Sequence, residues 1–445
     1  MPAQSDPASR ISASRTRMIS MPHTPTTTES LAARATTIIS RCRELASITD
    51  IPNQTTRLFL SPATRDAHTL LEWWIRQAHL TARTDDAGNL RATRHSANEN
   101  APTFVLFSHI DTVTNAGAFD GPLGVLLALA AIEQLGATPL PFHVELIAFA
   151  EEEGVRFGFP FLSSLAATGK LTPDHLARTD AEGITLADAI RNFTRSDGTH
   201  LDPDQIPNTC PLAPNTFGAL EVHIEQGPVL DKSDTSLAVV EAIVGQSRLE
   251  LIFEGHANHA GTTPMSLRQD ALAAAAQWIV EVERYAANYT QLVATVGRIS
   301  TEPGAINVIP GTVRTSLDIR HPKDESRHAA IAHLLTKAEA AGALRGVRVH
   351  ATVQSEQRAV PMDRDLTLKL HQAAERAGFD AQPIFSGAGH DAMILAAAVP
   401  TTMLFLRSPG GLSHHPNEDV RLEDVEAALA TVLNLLLHLH PHKAH

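Results

Sequence analysis

The chain has 445 residues, with 36 lysines and arginines against 49 aspartates and glutamates, so its formal net charge is −13. This balance excludes the basic surface of a nucleic-acid-binding protein. Its two cysteines exclude a disulfide framework. No apolar run approaches the roughly 20 residues that a membrane-spanning helix needs. The length predicts more than one domain.

Residues 1–28 differ in composition from the rest of the chain. They are rich in serine, threonine and proline, and they contain a single acid, Asp6. A disordered tail, a weak targeting segment and an overlong start, with Met18 or Met21 as the initiator, all fit this composition. The segment lacks the apolar stretch of a secretory signal, so we expect a cytoplasmic protein.

Helices and strands alternate in the next part of the chain. Capping-box spacing at Thr26–Glu29 predicts the start of a first helix, and Ser61-Pro62 opens a second. Asp85–Asn89 is typical of a turn between two short strands. The uncharged run Thr103–Ser108 predicts a central strand buried on both faces, and a helix follows over Pro122–Leu135.

The end of the central strand carries the first residues that suggest chemistry. His109 and Asp111 are two residues apart and therefore point to the same side of a strand. Asp120 lies at the predicted N-terminus of the next helix. A metal ligand oriented by a neighbouring acid accounts for this pattern. A core histidine with two turn aspartates accounts for it equally well, and this stretch alone leaves both interpretations open.

Acids and histidines also follow other predicted strands. The strand over Phe142–Ala150 runs into three adjacent glutamates, Glu151–Glu153. Their mutual repulsion would be relieved if one bound a cation and its neighbour acted as a base. His223 interrupts the apolar alternation of another strand, and His414 follows an apolar strand near the end of the chain.

The order of predicted elements changes to β-α-β-β-α-β between residues 246 and 354, which is the order of the ferredoxin-like split unit. We therefore predict an inserted domain over 246–354 and an α/β domain formed by 29–245 and 355–445. The strands predicted in the insertion are 248–253, 291–299, 312–320 and 347–353, and its helices are 266–285 and 324–341.

Five candidate ligands lie at strand ends or in adjoining loops: His109, Asp120, Glu153, His223 and His414. Imidazole and carboxylate without thiolate suit zinc, manganese or nickel. Five ligands are too many for one catalytic zinc that keeps an open position. They fit two cations that share one carboxylate.

Eight motifs together resemble those of the peptidase M20 superfamily, and more closely its hydantoinase/carbamoylase branch. That branch includes allantoate amidohydrolases, N-carbamoyl-L-amino acid hydrolases and β-ureidopropionases. The resemblance runs from about Glu29 to the C-terminal helix. The motifs are SHIDTV (108–113), FDGPLGV (119–125), EEEGVRFG (151–158), HIEQGPVL (223–230), HANHAGTTPM (256–265), GAINVIPG (304–311), SGAGHDAM (386–393) and GGLSHHPNE (410–418).

The resemblance implies a metallo-exopeptidase-like catalytic domain with an inserted ferredoxin-like lid through which two copies form a homodimer. It also implies two divalent cations, which would be zinc, manganese, nickel or cobalt. By this resemblance one cation is held by His109 and His223, the other by Glu153 and His414, and Asp120 bridges them.

The resemblance assigns roles to neighbouring residues as well. Asp111 would orient His109, and Glu152 would be the general base. A slip of one residue within the glutamate run would exchange the base and the ligand. His415 stands where the family usually has asparagine, so the choice between His414 and His415 stays open.

Five residues are implied to contact the substrate or its transition state. His259 would stabilise the oxyanion, and Arg320 would pair with a substrate carboxylate. A cross-strand pair with an acid is the alternative for Arg320. Gln226 and Asn307 would contact the substrate. His390 would lie near the substrate or cap its own loop.

The resemblance implies hydrolysis of the carbamoyl (ureido) C–N bond of allantoate or of an N-carbamoyl-L-amino acid, with release of ammonia and carbon dioxide. The expected substrate is a small ureido acid. Two alternatives stay open, namely an M20 dipeptidase or N-deacylase that cuts ordinary amides, and a non-catalytic binding protein on the same scaffold.

Overall fold

A nine-stranded sheet, a five-stranded sheet and a separate two-stranded sheet organise residues 30–441, the part of the chain that the computed structural model describes. The elements up to the second sheet are α1 (Leu31–Ala46), α2 (Pro62–Gln77), β1 (Ala82–Thr84), β2 (Leu90–Arg94), β3 (Thr103–His109), α3 (Pro122–Leu135), β4 (His143–Phe149), α4 (Leu162–Ala167), α5 (Pro173–Leu176), α6 (Leu186–Asn192), α7 (Ile206–Thr209), β5 (Thr216–Ile224), α8 (Val229–Ser233) and β6 (Leu237–Ile243).

The second sheet and the return to the first sheet complete the described chain. Their elements are β7 (Gly245–Glu254), β8 (Asn258–His259), α9 (Ala271–Ala287), β9 (Val293–Thr295), β10 (Ile299–Glu302), β11 (Val308–Ile309), β12 (Thr312–His321), α10 (Asp324–Ala343), β13 (Arg348–Gln357), β14 (Val360–Pro361), α11 (Arg364–Arg376), β15 (Ala381–Ser386), α12 (Asp391–Leu395), β16 (Thr401–Leu406) and α13 (Leu422–His438).

The larger sheet has the strand order β1-β2-β4-β3-β5-β16-β6-β14, with β15 paired to β6. Its centre is parallel, because β3 pairs in parallel with both β4 and β5, and β5 with β16. All seven residues of β3 are buried, as the uncharged run predicts. Helices α1, α3, α11 and α13 pack in the core on one face, and α4 and α12 cover the other.

Helix α3 fits closely between the sheet and the outer helices. Twelve of its 14 residues are buried, and its bounds are those that the sequence predicts. The approach depends on Gly124, because a Cβ atom at this position would lie 1.9 Å from the carbonyl oxygen of Val222. The helix therefore packs directly on the backbone of β5.

The smaller sheet has the order β10-β12-β7-β13, with β9 also paired to β12, and all of these pairs are antiparallel. Helices α9 and α10 contribute to its core. The first strand, β7, lies between the third and the last, as in the predicted β-α-β-β-α-β unit. The domain bounds 246–354, with 29–245 and 355–445 around them, stay a prediction.

Several elements of this region differ from their predicted extent, and for two of them the structure shows a local cause. The strand expected over 291–299 is two short strands, β9 and β10, because the chain leaves the ladder where Arg298 N donates to Ser316 Oγ. The helix expected from residue 266 begins at Ala271, because the Asp270 side chain accepts hydrogen bonds from the N–H groups of Leu272 and Ala273.

The N-terminal helix also begins differently. The capping box expected at Thr26–Glu29 and the tail over 1–28 lie outside the described residues. Helix α1 has Ser30 as its N-cap, with Oγ accepting from Ala33 N at 3.2 Å. None of the helices within residues 30–441 has the length and apolar character needed to cross a membrane.

Replacing Gly124 with alanine should lower the free energy of unfolding by about 1–3 kcal/mol, the usual cost of overpacking. In an isolated helix the same change would stabilise the helix by about 1 kcal/mol. A lower free energy of unfolding, measured by urea denaturation, would therefore reflect the close contact with β5. Gly297→Ala is the control, because its new Cβ would meet nothing closer than Ser316 Oγ at 3.9 Å. A Gly124→Ala variant as stable as the control would contradict the close packing.

Candidate metal centre

The parallel strands bring three predicted ligand segments to one edge of the large sheet. His109 is the last residue of β3, Glu151–Glu153 follow the end of β4, and His223 precedes the last residue of β5. The carboxyl ends of parallel strands share one edge of a sheet, which is where α/β folds bind ligands. Both histidines are almost completely buried.

His109, His223 and Asp120 form a first group. The two Nε2 atoms lie 3.2 Å apart. Asp120 Oδ1 lies 3.1 Å from Nε2 of His223 and 3.7 Å from Nε2 of His109. These three ligand atoms fall within 4.8 Å of one another, which is close enough to hold one metal ion.

If both histidine rings are neutral, their tautomers leave this group without a proton between its ligand atoms. Nδ1 of His223 lies 2.9 Å from the carbonyl oxygen of Ile224, and Nδ1 of His109 lies 3.1 Å from that of Asp111. In the neutral rings the proton therefore belongs on Nδ1, and both Nε2 lone pairs face each other. Asp120 Oδ1 is buried without a hydrogen-bond partner. A divalent cation fits this arrangement, because it would accept all three lone pairs.

A second group uses the other oxygen of the same aspartate. Asp120 Oδ2 lies 3.3 Å from Nε2 of His414, which in turn lies 3.5 Å from Oε1 of Glu153. These three residues also fall within metal-binding distance. His415 points elsewhere, since its Nδ1 accepts a hydrogen bond from Asn417 N. Of the two histidines, the structure brings His414 to the shared aspartate.

Asp111 ties the ends of β3 and β4 together. Its carboxylate accepts hydrogen bonds from Glu152 N and Glu153 N, each at 3.0 Å, and its Oδ1 lies 3.3 Å from Nδ1 of His109. The residue thus contacts His109, as the resemblance implies. It also sets the backbone turn that carries the two glutamates.

A buried guanidinium that the sequence analysis missed supports the same strand end. Arg57 is fully buried and donates to the carbonyl oxygens of Ile110 at 2.6 Å and Leu45 at 2.9 Å. Burial lowers its pKa to about 10, although the charge of Asp111 opposes this shift. A lone arginine in a loop has no periodicity, so no sequence signal marks it.

The two glutamates have perturbed acidity. Burial raises the pKa of Glu152 well above its ordinary value; His109 opposes this shift, and Glu153 adds to it. Burial and the charge of Asp120 raise the pKa of Glu153 to about 7. Glu152 and Glu153 also form a third group with His109. A bound cation would draw these pKa values down.

Gln226 and His390 lie beside these groups. Nε2 of Gln226 donates to Asp120 Oδ2 at 2.9 Å and lies 3.4 Å from Nε2 of His414. The ring of His390 is buried, 4.5 Å from that of His223 between centroids. Its Nε2 lies 2.9 Å from Ser386 Oγ. Both predicted substrate contacts therefore border the candidate metal centre.

His259 and Asn307 lie on the inserted segment, in the β8–β11 ladder and beside it. Neither hydrogen-bonds a residue of the metal-binding groups within residues 30–441. Nδ1 of His259 accepts from Gly261 N at 3.0 Å and Thr262 N at 3.2 Å. The neutral ring therefore carries its proton on an exposed Nε2, which makes it a hydrogen-bond donor.

Arg320 reaches from the small sheet towards the loop that precedes His390. Its Nη1 donates to Gly387 O at 2.7 Å, while its Nε donates to Asp318 at 2.8 Å. Arg320 therefore has an acid partner, but Asp318 lies on the same strand, β12, and not across the sheet as the alternative expects. Arg320 also lines a cavity of about 540 Å³ together with Val293 and Phe385.

Divalent cations should raise the melting temperature of chelator-treated protein, because they would occupy lone pairs that have no other partner. A ligand at 100 times its Kd stabilises by about 2.7 kcal/mol. Thermal unfolding with zinc, manganese, cobalt or nickel measures the shift. The metal-induced rise in melting temperature should be much smaller in Asp120→Asn. It should be unchanged in the control Asp188→Asn, which alters an exposed acid. A melting temperature indifferent to all four metals would contradict the assignment.

Comparison with known proteins agrees with this geometry. Residues 105–438 match the model of peptidase family M20/M25/M40. Allantoate deiminase 1 of Glycine max is 37% identical over 90% of this chain and 89% of its own length. The N-carbamoyl-L-amino acid amidohydrolase of Geobacillus stearothermophilus is 38% identical over 86% of this chain and 93% of its own length.

A solved structure shows the same fold. It is an amidase of the hydantoinase/carbamoylase family from Burkholderia multivorans, 31% identical, with a TM-score of 0.83 over 91% of this chain and 97% of that one. The predicted α/β class and the predicted resemblance are confirmed. The chain belongs to peptidase family M20/M25/M40, and within it to the hydantoinase/carbamoylase branch.

Proposed function

We propose that this protein is a two-cation amidohydrolase that cleaves the carbamoyl (ureido) C–N bond of allantoate or of an N-carbamoyl-L-amino acid, releasing ammonia and carbon dioxide. One observation carries the proposal: a single buried aspartate, Asp120, is shared by two acid–histidine groups, with the buried Glu152 beside them. The amidohydrolase and deiminase relatives support the choice of bond.

The distances between the side chains support the proposed ligand roles. His109 and His223 would hold one cation, Glu153 and His414 the other, and Asp120 would contribute one oxygen to each. Such a pair polarises a carbonyl group and lowers the pKa of water. The donor set contains only nitrogen and oxygen, which suits zinc, manganese, nickel or cobalt.

Glu152 is the general base in this proposal. Asp111 fixes its backbone, and its carboxyl lies within the group that includes His109. It would take a proton from the attacking water and pass it to the leaving nitrogen. Burial raises its pKa, which favours holding that proton until the nitrogen departs.

The inserted segment supplies the remaining roles. The Nε2–H of His259 would stabilise the oxyanion, Asn307 would contact the substrate, and Arg320 would pair with the substrate carboxylate. Gln226 and His390 would contact the substrate from the other side. We also propose that two copies associate through the inserted domain.

A substrate panel tests the reaction. Ammonia release is measured with allantoate, several N-carbamoyl-L-amino acids and a set of dipeptides and N-acyl amino acids. Turnover of ureido acids is expected. Turnover of dipeptides alone would favour the peptidase alternative that the family's peptidase members suggest. A metal-loaded protein inert towards all of them would favour a binding protein.

Glu152→Gln should lower kcat by about 10²–10⁴-fold, the usual contribution of a general base, while both cations remain bound. Steady-state kinetics and metal analysis of the same preparation measure the two effects. Glu151→Gln is the matched control, since Glu151 is outside all three metal-binding groups. A Glu152→Gln variant with full activity would remove this residue as the base.

Arg320→Lys should raise KM for a ureido acid by about tenfold, because lysine lacks the planar fork that binds a carboxylate bidentately. KM for the corresponding carboxamide, which has no carboxylate, should not change. Arg314→Lys, which alters a half-exposed arginine on the same strand, should leave both KM values alone. Equal effects on acid and amide would contradict carboxylate recognition by Arg320.

A further inference from the structure

We propose that Glu418 is a positioning residue that fixes the shared ligand Asp120 and the loop that carries His414 relative to each other. The proposal rests on the two-cation site described above and extends it to a residue outside the ligand set. Glu418 ends the segment that contains His414 and is only 5% exposed.

One oxygen of Glu418 fixes the backbone of the shared ligand. Its Oε1 accepts hydrogen bonds from Phe119 N and from Asp120 N, each at 2.9 Å. An amide oxygen can accept the same two hydrogen bonds as a carboxyl oxygen. The two bonds join segments that are 299 and 298 positions apart in sequence.

The side chain of Asp120 is held from the same segment. Ser413 Oγ donates to Asp120 Oδ2 at 2.8 Å and lies 3.4 Å from Oε2 of Glu418. Glu418 N donates to His415 O at 3.0 Å, which closes the turn. Immediately before this turn His414 has φ +54°, a left-handed conformation that a residue with a side chain adopts only where its surroundings determine it.

The approach of the two segments requires a glycine. A Cβ atom on Gly117 would lie 2.3 Å from Cβ of Glu418 and 2.6 Å from its Oε1. The backbone that leads to Asp120 therefore lies directly against Glu418. This contact forms a junction between the loop that carries Asp120 and the loop that carries His414.

The junction should matter more for one cation than for the other. His109 and His223 lie at strand ends, and their Nδ1 atoms face backbone carbonyls. His414 lies on a loop whose link to Asp120 runs through Ser413 and Glu418. Loss of Glu418 should therefore weaken the half of the site that contains His414, while the other half persists.

The test compares Glu418→Ala, Glu418→Gln and Asp419→Ala in the full-length protein. Cobalt is added to the metal-free protein, calorimetry gives the number and affinity of bound ions, and visible absorption reports their coordination. Glu418→Ala should weaken one of two ions by about tenfold or more, within the range known for residues behind metal ligands. Glu418→Gln keeps an acceptor oxygen and should stay near wild type, which separates hydrogen bonding from charge.

Asp419→Ala removes the adjacent exposed acid, which pairs with Arg43, and should change nothing. The positioning role alone would be overturned if Glu418→Ala bound two ions with wild-type affinity. It would also be overturned if Glu418→Ala and Glu418→Gln lost cobalt affinity equally. A wild-type protein that binds fewer than two ions would overturn the proposed site as well. If Glu418→Ala fails to fold by circular dichroism, Ser413→Ala, which removes the hydroxyl between Asp120 Oδ2 and Glu418 Oε2, must weaken one of the two ions or the inference fails.

Discussion

The mutual approach of His109, His223 and Asp120 is the constraint on which the rest of the site depends. In neutral His109 and His223, a backbone carbonyl beside each ring places its proton on Nδ1. The two Nε2 lone pairs and a lone pair of Asp120 Oδ1 then converge in a buried space. Such an arrangement is unfavourable unless a positive charge enters it. A proton or a metal ion can supply that charge. Burial acts to lower the pKa of His109, but the neighbouring carboxylates of Asp111, Asp120 and Glu152 outweigh burial and raise it. Protons and cations therefore compete for the same atoms.

The larger sheet explains why these atoms meet. Parallel pairing of β3 with β4 and β5 aligns the ends of three strands that are far apart in sequence. Gly124 lets α3 approach this sheet, and the helix begins directly after the Asp120 loop. The position of Asp120 is thus set by the packing of a helix on a strand, and by hydrogen bonds from the His414 segment on its other side.

Local patterns predict the parts of this arrangement that arise locally. The uncharged run of β3 marks a buried strand, and Pro122 and Gly136 mark the ends of α3. Strands β6 and β15 were not predicted, because their pairing with each other and with β16 depends on segments distant in the chain. The same limit applies to Arg57 and Glu418. Each acts through hydrogen bonds to backbone groups of another segment, and no spacing in the sequence records such a bond.

The proposed chemistry draws on two regions of the chain, and this has a physical consequence. The candidate cation ligands and Glu152 lie at strand ends of the large sheet or in adjoining loops, while His259 lies in β8 and Arg320 in β12. Arg320 uses Nε and Nη2 on Asp318 and Nη1 on Gly387 O. A guanidinium has five N–H donors, so donors remain for a carboxylate at the edge away from Asp318. Asp318 thus reduces the net charge that a substrate meets but limits the orientations of the fork. Recognition of an acid would then depend on geometry more than on bulk positive charge, which suits a protein whose overall charge is negative.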